Sequence, residues 1–329
     1  MMSKSAPPAF GVVAIGRNEG ERLKRCLSSI SGATRIVYVD SGSTDGSVAF
    51  AAQAGIDVVS LEMSLPFTAG RARNVGMQRL LQLVPDLDFV QFVDGDCELR
   101  PDWPTAAISY LVDHRKVCAI FGRRRERFPD RSIYNLMCDR EWDTPVGEAK
   151  ACGGDVMMRV DPFKAAGGYR EDMIAGEEPE LCLRLRAAGW TIWRLDREMT
   201  LHDASMHHFS QWWRRQARSG YAFAQGAHLH GNSDERHWVW ESRRALVWAC
   251  LIPLAILSAL LLVGPIALLL LLIYPAQILR RSRRMSGRFR TRILLAFFEQ
   301  LSRFPEAWGQ LLFLRNRLQG RHGRLIEYK

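Results

Sequence analysis

The chain has 329 residues, 47% hydrophobic and 24% charged, a balance that excludes a wholly disordered or collagen-like polypeptide. Its net charge of +10 is confined to the end: residues 276–329 hold thirteen Lys and Arg against three Asp and Glu, and the 275 residues before them balance. That distribution argues against a nucleic-acid partner, and a basic segment directly after an apolar one suits anionic lipid headgroups. Seven cysteines, an odd number with no CxxC pair, indicate neither a disulfide framework nor a zinc knuckle and point to a reducing compartment. Residues 1–11 lack an apolar stretch of useful length, so no secretory signal peptide is expected.

In chain order, residues 10–15 form a short apolar run, read as a buried strand, and residues 21–31 follow with Leu23, Leu27 and Ile30 at helical spacing. A strand over 35–40 runs into the turn-rich Ser41-Gly42-Ser43-Thr44-Asp45-Gly46, which opens a helix over 45–54 with Asp45 as its cap. A strand over 56–60, a helix over 69–84, a strand over 88–93, a helix over 105–114 and a strand over 117–121 come next. This alternation predicts an α/β fold with a mostly parallel sheet, whose ligands bind at the carboxyl ends of the strands. Ile15, Asp40 and Asp94 lie at such ends. Beyond them a strand over 152–160, a helix over 179–188 and a strand over 190–195 are expected.

Residues 246–279 are overwhelmingly apolar and uncharged, long for one membrane span and short for two. Gly264-Pro265 near the middle favours a hairpin or re-entrant pair over one kinked helix. Arg243 and Arg244 before the run, with Arg280, Arg281, Arg283 and Arg284 after it, favour both ends in the cytoplasm. An amphipathic helix over 293–314 fits an interfacial location or packing on the soluble domain. The expected organisation is a catalytic domain over 1–240, membrane segments over 245–280 and a basic tail over 281–329.

Asp94-Gly95-Asp96 places two carboxylates on a glycine-permitted turn, oxygen ligands suited to Mg2+ or Mn2+. Asp40, at its strand end, can accept from a nucleobase N–H or a ribose hydroxyl; a helix-capping loop explains the same residues. Four segments together, Val12-Val13-Ala14-Ile15-Gly16-Arg17-Asn18-Glu19, Val39-Asp40-Ser41-Gly42-Ser43-Thr44-Asp45-Gly46, Gly70-Arg71-Ala72-Arg73-Asn74-Val75-Gly76 and Phe92-Val93-Asp94-Gly95-Asp96, resemble the family 2 glycosyltransferases over roughly residues 9–225. The resemblance implies the GT-A fold and inversion at the anomeric carbon of a nucleotide-sugar with metal help. By the family pattern Ile15, Asn18 and Glu19 line the donor side, Asp40 contacts the base, Asp94 the ribose side and Asp96 the metal. Arg73 and Asn74 would lie near the nucleotide, with Arg71 as a substitute.

Gly176-Glu177-Glu178-Pro179-Glu180-Leu181 resembles the family segment that carries the catalytic aspartate. Glu178 takes its position, one methylene longer, and Glu177 is the alternative base; the helix N-terminus favours ionised carboxylates there. Gly153 and Gly154 fall where the acceptor-side wall is expected, and glycine lets backbone approach closely. Among His202, His207 and His208, His202 is the candidate to complete the metal shell. Gln211-Trp212-Trp213-Arg214-Arg215 resembles a loosened form of a motif of processive members, in which Arg214 or Arg215 would steady the diphosphate and Trp212 would stack on an acceptor sugar. The expected function is transfer of a sugar from a UDP- or GDP-sugar to a lipid-linked or polysaccharide acceptor at the cytoplasmic face of the inner membrane. Membrane lipids and polysaccharide-assembly proteins are the further expected partners. Two other functions share the same residues: a nucleotidyltransferase, which would carry a glycine-rich G-x-G-T-R-type loop in place of Gly16-Arg17-Asn18-Glu19, and an inert membrane scaffold.

Overall fold

The computed structural model describes residues 8–321, 323, 326 and 327. Residues 1–7, most of the stretch in which no signal peptide is expected, and the last basic residues of the tail lie outside the described residues. The chain divides into two compact units, one comprising residues 1–173 and 177–205, the other 174–176 and 206–329.

The first unit is built on alternating strands and helices. In order these are β1 (Phe10–Gly16), α1 (Glu21–Ser29), β2 (Arg35–Asp40), α2 (Ser47–Gln53), β3 (Asp57–Ser60), α3 (Ala69–Leu83), β4 (Phe89–Asp94), β5 (Cys97–Leu99), α4 (Trp103–Asp113) and β6 (Val117–Glu126). They continue as α5 (Ile133–Glu141), β7 (Gly147–Ala149), β8 (Val156–Arg159), α6 (Val160–Ala165), α7 (Glu177–Ala187) and β9 (Thr191–His202). The sheet order is β3-β2-β1-β4-β8-β6-β9-β5, with β7 on β9. Strands β1 to β4 pair in parallel, and β6 and β9 pair in parallel with each other. The core is the apolar run of the central strands: Val12, Val13, Val37, Val39, Val90, Phe92 and Ile120 are fully buried.

Two departures from the expected elements matter for the site. The strand expected over 152–160 shrinks to Val156–Arg159, and it inserts antiparallel between β4 and β6. Its preceding loop, 150–154, is thereby left beside the end of β4. The last strand extends to His202 instead of ending at 195, because its second half pairs with β5 and the end of β6. Parallel register sets Ile15 beside Asp94 and Gly16 beside Asp40, so the ends of β1, β2 and β4 are level.

The second unit is helical: α8 (Phe209–His230), α9 (Val239–Leu246), α10 (Ile252–Val263), α11 (Ile273–Ser282), α12 (Phe289–Leu301) and α13 (Arg303–Leu318). Helix α8 packs with α13, and the compact division of the chain falls at 205/206. A π-helical turn, Val247–Leu251, joins α9 to α10 into one helix, Val239–Val263. Gly264, at φ 77, ends it, and Pro265–Ser282 returns. Both helices are long and apolar enough to cross a membrane. They form a hairpin: the Tyr274 hydroxyl donates to the Trp248 carbonyl at 2.8 Å, and the two rings pack at 5.7 Å. Leu254, Leu257, Leu261, Leu262, Ile266 and Leu269 stand exposed along it, as side chains facing lipid would. The expected helix over 293–314 is two helices, broken at Ser302 with Pro305 in the first turn of α13.

Candidate active site

The turn after β4 presents Asp94 and Asp96 at the sheet's carboxyl end. Asp94 is held on both oxygens: Arg73 Nη2 donates to Oδ1 at 2.9 Å and Arg124 Nη2 to Oδ2 at 3.0 Å. Burial alone would raise the Asp94 carboxyl, but the two guanidiniums outweigh it and hold Asp94 well below the usual carboxylate range. Asp94 is therefore an anion at any working pH.

Arg73 is the hub of the cluster. It is 2% exposed, on α3, and its Nη1 donates to Glu177 Oε1 at 2.8 Å and to Glu178 Oε1 at 3.1 Å. One side chain thus ties the Asp94 turn to the first turn of α7. Gly154 makes room for it: a Cβ there would lie 2.3 Å from Arg73 Nη2 and 2.9 Å from Asp94 Oδ2. Gly153 faces open space. The two glutamates differ in access, since Glu177 is buried and Glu178 keeps 15% of its side chain exposed. Burial first, then the neighbouring Glu177, pushes the Glu178 carboxyl up to about 7 against the opposing pull of Arg73.

Asp96 meets His202 from the end of β9, Oδ2 to Nε2 at 3.2 Å, and the other ring nitrogen faces Glu126 Oε2 at 3.2 Å. Burial, with Arg124 nearby, lowers the His202 pKa, so the ring is neutral and carries one proton. A neutral imidazole between two carboxylates donates to one of them. With Nδ1–H given to Glu126, Nε2 and Asp96 Oδ2 face each other as two lone-pair donors, an arrangement that a divalent cation between them would relieve. Cys97 lies in the same group, but burial raises its thiol well above the usual range and a neutral thiol is a poor partner for a hard cation. The wider charge balance agrees: Asp94, Asp96, Glu126, Asp155, Glu177 and Glu178 outnumber Arg73 and Arg124. The donor set of Asp96 and His202 fits Mg2+ or Mn2+.

Three members of this cluster were not singled out as site residues from the sequence. Asp155, buried at the start of β8, accepts the Asp94 backbone N–H at 2.9 Å and the Thr200 hydroxyl at 2.8 Å. Arg124, in β6, reaches Asp94, Asp155 and Asp96 and lies over the Trp142 ring at 4.9 Å. Glu126 orients His202 and accepts the Ala204 N–H at 3.0 Å. Their sequence signal is weak: Asp155 falls in the stretch expected as a strand over 152–160, and Arg124 and Glu126 follow the expected strand over 117–121, which the structure extends to Glu126.

Other expected donor-side residues have different partners. Arg71 turns to the carbonyls of Leu65 and Pro66, at 3.3 and 3.5 Å, and does not replace Arg73. Asn74 braces the loop after α6, bonding to Tyr169 O at 2.8 Å, Tyr169 N at 2.9 Å and Glu171 Oε1 at 2.9 Å. Asn18, at φ 55, accepts the Thr44 N–H at 2.7 Å and so clamps the β1 loop to the β2 loop. Glu19 pairs with Arg22 at 2.8 Å. Asp40 is buried and caps its own turn, accepting from Gly42 N, Ser43 N and the Tyr38 hydroxyl. Asp45 accepts the Ser47 N–H and hydroxyl at the start of α2. In the second unit, Trp212, expected to stack on an acceptor sugar, is 1% exposed and packs edge-on against Phe298 at 5.1 Å. Arg214 and Arg215 lie on α8, Arg214 exposed.

The glycosyl transferase family 2 model matches residues 12–165, the stretch that carries β1 to β8 and the Asp94 turn. The succinoglycan biosynthesis protein ExoA of Rhizobium meliloti (strain 1021) is 27% identical over 188 residues, 54% of this chain; the chain covers 56% of that relative's length. Among solved structures, a mannosyltransferase from Pyrobaculum calidifontis, PcManGT, in complex with GDP-Man and Mn2+, superposes with a TM-score of 0.63 at 18% identity. That likeness covers 93% of this chain and 88% of the other, and it extends the shared GT-A fold beyond the family match. The family 2 match thus spans just under half of the chain, residues 12–165, and it is this segment, with its Asp94 turn, that is similar to the glycosyl transferase family 2.

Proposed function

We propose that the chain is an inverting glycosyltransferase in which Glu178 is the catalytic base. The observation that carries this reading is the Arg73 hub, which joins the Asp94 turn to Glu178 within a single buried network. A carboxyl near 7 is matched to proton abstraction at neutral pH. Glu178 takes the proton of the acceptor hydroxyl as its oxygen bonds to the anomeric carbon and the bond to the nucleoside diphosphate breaks. Glu177, more buried and bonded to Arg73, orients that arginine. Asp94 faces the ribose side, Asp40 the base, and Asn18, Glu19 and Ile15 form the adjoining wall. Asp96 and His202 would hold Mg2+ or Mn2+, which as a Lewis acid supplies charge stabilisation for the leaving diphosphate. Gly153 and Gly154 would border the acceptor.

The donor is a UDP- or GDP-sugar, a class to which the GDP-Man bound by the Pyrobaculum mannosyltransferase belongs. The acceptor is a lipid-linked or polysaccharide hydroxyl at the cytoplasmic membrane face, handled alongside polysaccharide-assembly proteins. Supporting this are the apolar hairpin with arginines at both ends and the polysaccharide role in the relative's name. The test uses the purified full chain in lipid nanodiscs with radiolabelled UDP- and GDP-sugars, with and without Mn2+. Metal-dependent donor turnover that disappears in Asp96→Ala is expected. If no nucleotide-sugar binds, and Asp96→Ala changes nothing, the proposal fails.

A further inference from the structure

Arg124 points into the carboxylate cluster, whereas Arg123 and Arg125 on either side of it in β6 have a separate set of partners. Alternation along a strand turns neighbours to opposite faces. Arg123 ion-pairs with Asp139 at 3.0 Å and Asp143 at 3.3 Å, and Arg125 with Glu198 at 2.7 Å. Both arginines line a polar cavity of about 460 Å³ at the bend of β9, where the register of β6 on β9 shifts. None of the groups proposed for sugar transfer lines it.

Arg194 is the unusual member of this cavity. It is 4% exposed, its Nε has no hydrogen-bond partner, and its Nη2 reaches only Asp143 Oδ1, at 3.5 Å. That carboxylate is 63% exposed and already serves Arg123. A buried guanidinium with so few partners is poorly compensated unless an anion completes it. Exposed Arg197 lines the same cavity and supplies a further cation. The size exceeds what a bare oxyanion fills, since that ion displaces only a few waters of about 30 Å³ each. The remaining lining is Arg100, which lies 3.8 Å from Glu198, and the carboxylates Asp102, Asp143, Asp196 and Glu198, whose oxygens can accept from hydroxyls. Fixed cations beside several hydroxyl acceptors, with little apolar wall, match a phosphorylated sugar better than a nucleotide, whose base needs a flat apolar surface.

We propose that this cavity is a second ligand site that binds a sugar phosphate, with the phosphate on Arg194 and Arg197 and the hydroxyls on the carboxylate rim. The inference is independent of the reading of the catalytic cluster.

Isothermal titration of the full chain in nanodiscs tests it, with mannose 1-phosphate, inorganic phosphate and mannose as separate titrants. Saturable binding of the sugar phosphate is expected, tighter than inorganic phosphate and absent for mannose. Arg197→Ala, at an exposed position that leaves the fold intact, weakens it roughly tenfold, and Arg194→Gln weakens it further, as loss of charge-assisted hydrogen bonds requires. Asp96→Ala, on the catalytic side, leaves it unchanged. No saturable binding, wild-type affinity in Arg197→Ala, or loss of binding in Asp96→Ala overturns the proposal. Equal affinity for inorganic phosphate overturns the assignment to a sugar phosphate.

Discussion

Replacing Glu178 by Gln keeps the side chain's size and an oxygen that can accept from Arg73, and it removes the ability to take a proton. A positioned base contributes about 10²–10⁴ in rate, so kcat should fall by that factor while donor KM changes little. The pH profile sharpens the test. With the carboxyl at about 7, roughly half of it is ionised at pH 7 and about a tenth at pH 6, so wild-type kcat should rise about fivefold from pH 6 to pH 7, approach tenfold per unit below pH 6 and level off above neutrality. The groups facing Glu178 are Glu177, Arg73 and Asp94, and of these Asp94 stays ionised throughout that range. The same shift has a stability consequence of fixed sign. A folded-state pKa raised from 4.5 to about 7 means that the native state holds the proton more tightly. Glu178 therefore destabilises progressively as pH rises from 4.5 through 7, by up to about 3 kcal/mol. Glu178→Gln should accordingly unfold at higher temperature than the wild type at pH 8, with the gap narrowing towards pH 5. Nucleoside diphosphate release at saturating donor, and thermal unfolding at the two pH values, read out both effects. A fall in kcat of less than tenfold, or a variant that keeps the wild-type pH rise, would refute the assignment.

Two further substitutions test the packing around the site and the membrane segment. Gly154→Ala drives a methyl into Arg73, which three carboxylates and its burial prevent from moving; a loss of about 1–3 kcal/mol in chemical unfolding is expected, against about ±0.5 kcal/mol for Gly153→Ala. Equal effects at the two glycines would show that the Arg73 hub is not rigid. Tyr274→Phe deletes the donor to the Trp248 carbonyl inside the hairpin and should lower stability in nanodiscs by about 0.6–1.7 kcal/mol; an unchanged midpoint would mean that the hairpin does not depend on this bond.

Local pattern was enough to identify the first half of the fold. The strands over 10–15, 35–40 and 88–93 are continuous apolar runs ended by turn residues, and both signals are local in the chain. The same holds for the apolar stretch over 246–279 and for Asp94-Gly95-Asp96, where glycine between two carboxylates marks a turn wherever it occurs. Family resemblance, not pattern, picked Glu178 out of an ordinary acidic first turn of a helix. The sequence by itself left Arg71 and Arg73 as alternatives. Two positions apart on a helix, they point about 200° from each other, so only one can face the β4 turn, and the packing of α3 on β1 and β2 chose Arg73. Tertiary structure also recruited Arg124, Glu126 and Asp155. They come from strands whose order in the sheet differs from their order in the chain, β8 inserting between β4 and β6, and no spacing in the sequence encodes that neighbourhood. Trp212 shows the limit in the other direction: a tryptophan beside arginines reads as a sugar platform, and its burial against Phe298 is decided by a helix more than eighty residues later. The sequence therefore determined where the turn carboxylates and the apolar segments lie, because those signals are carried by adjacent residues. Only the tertiary structure decided which arginines, carboxylates and histidine meet them, because that depends on strand order and helix facing.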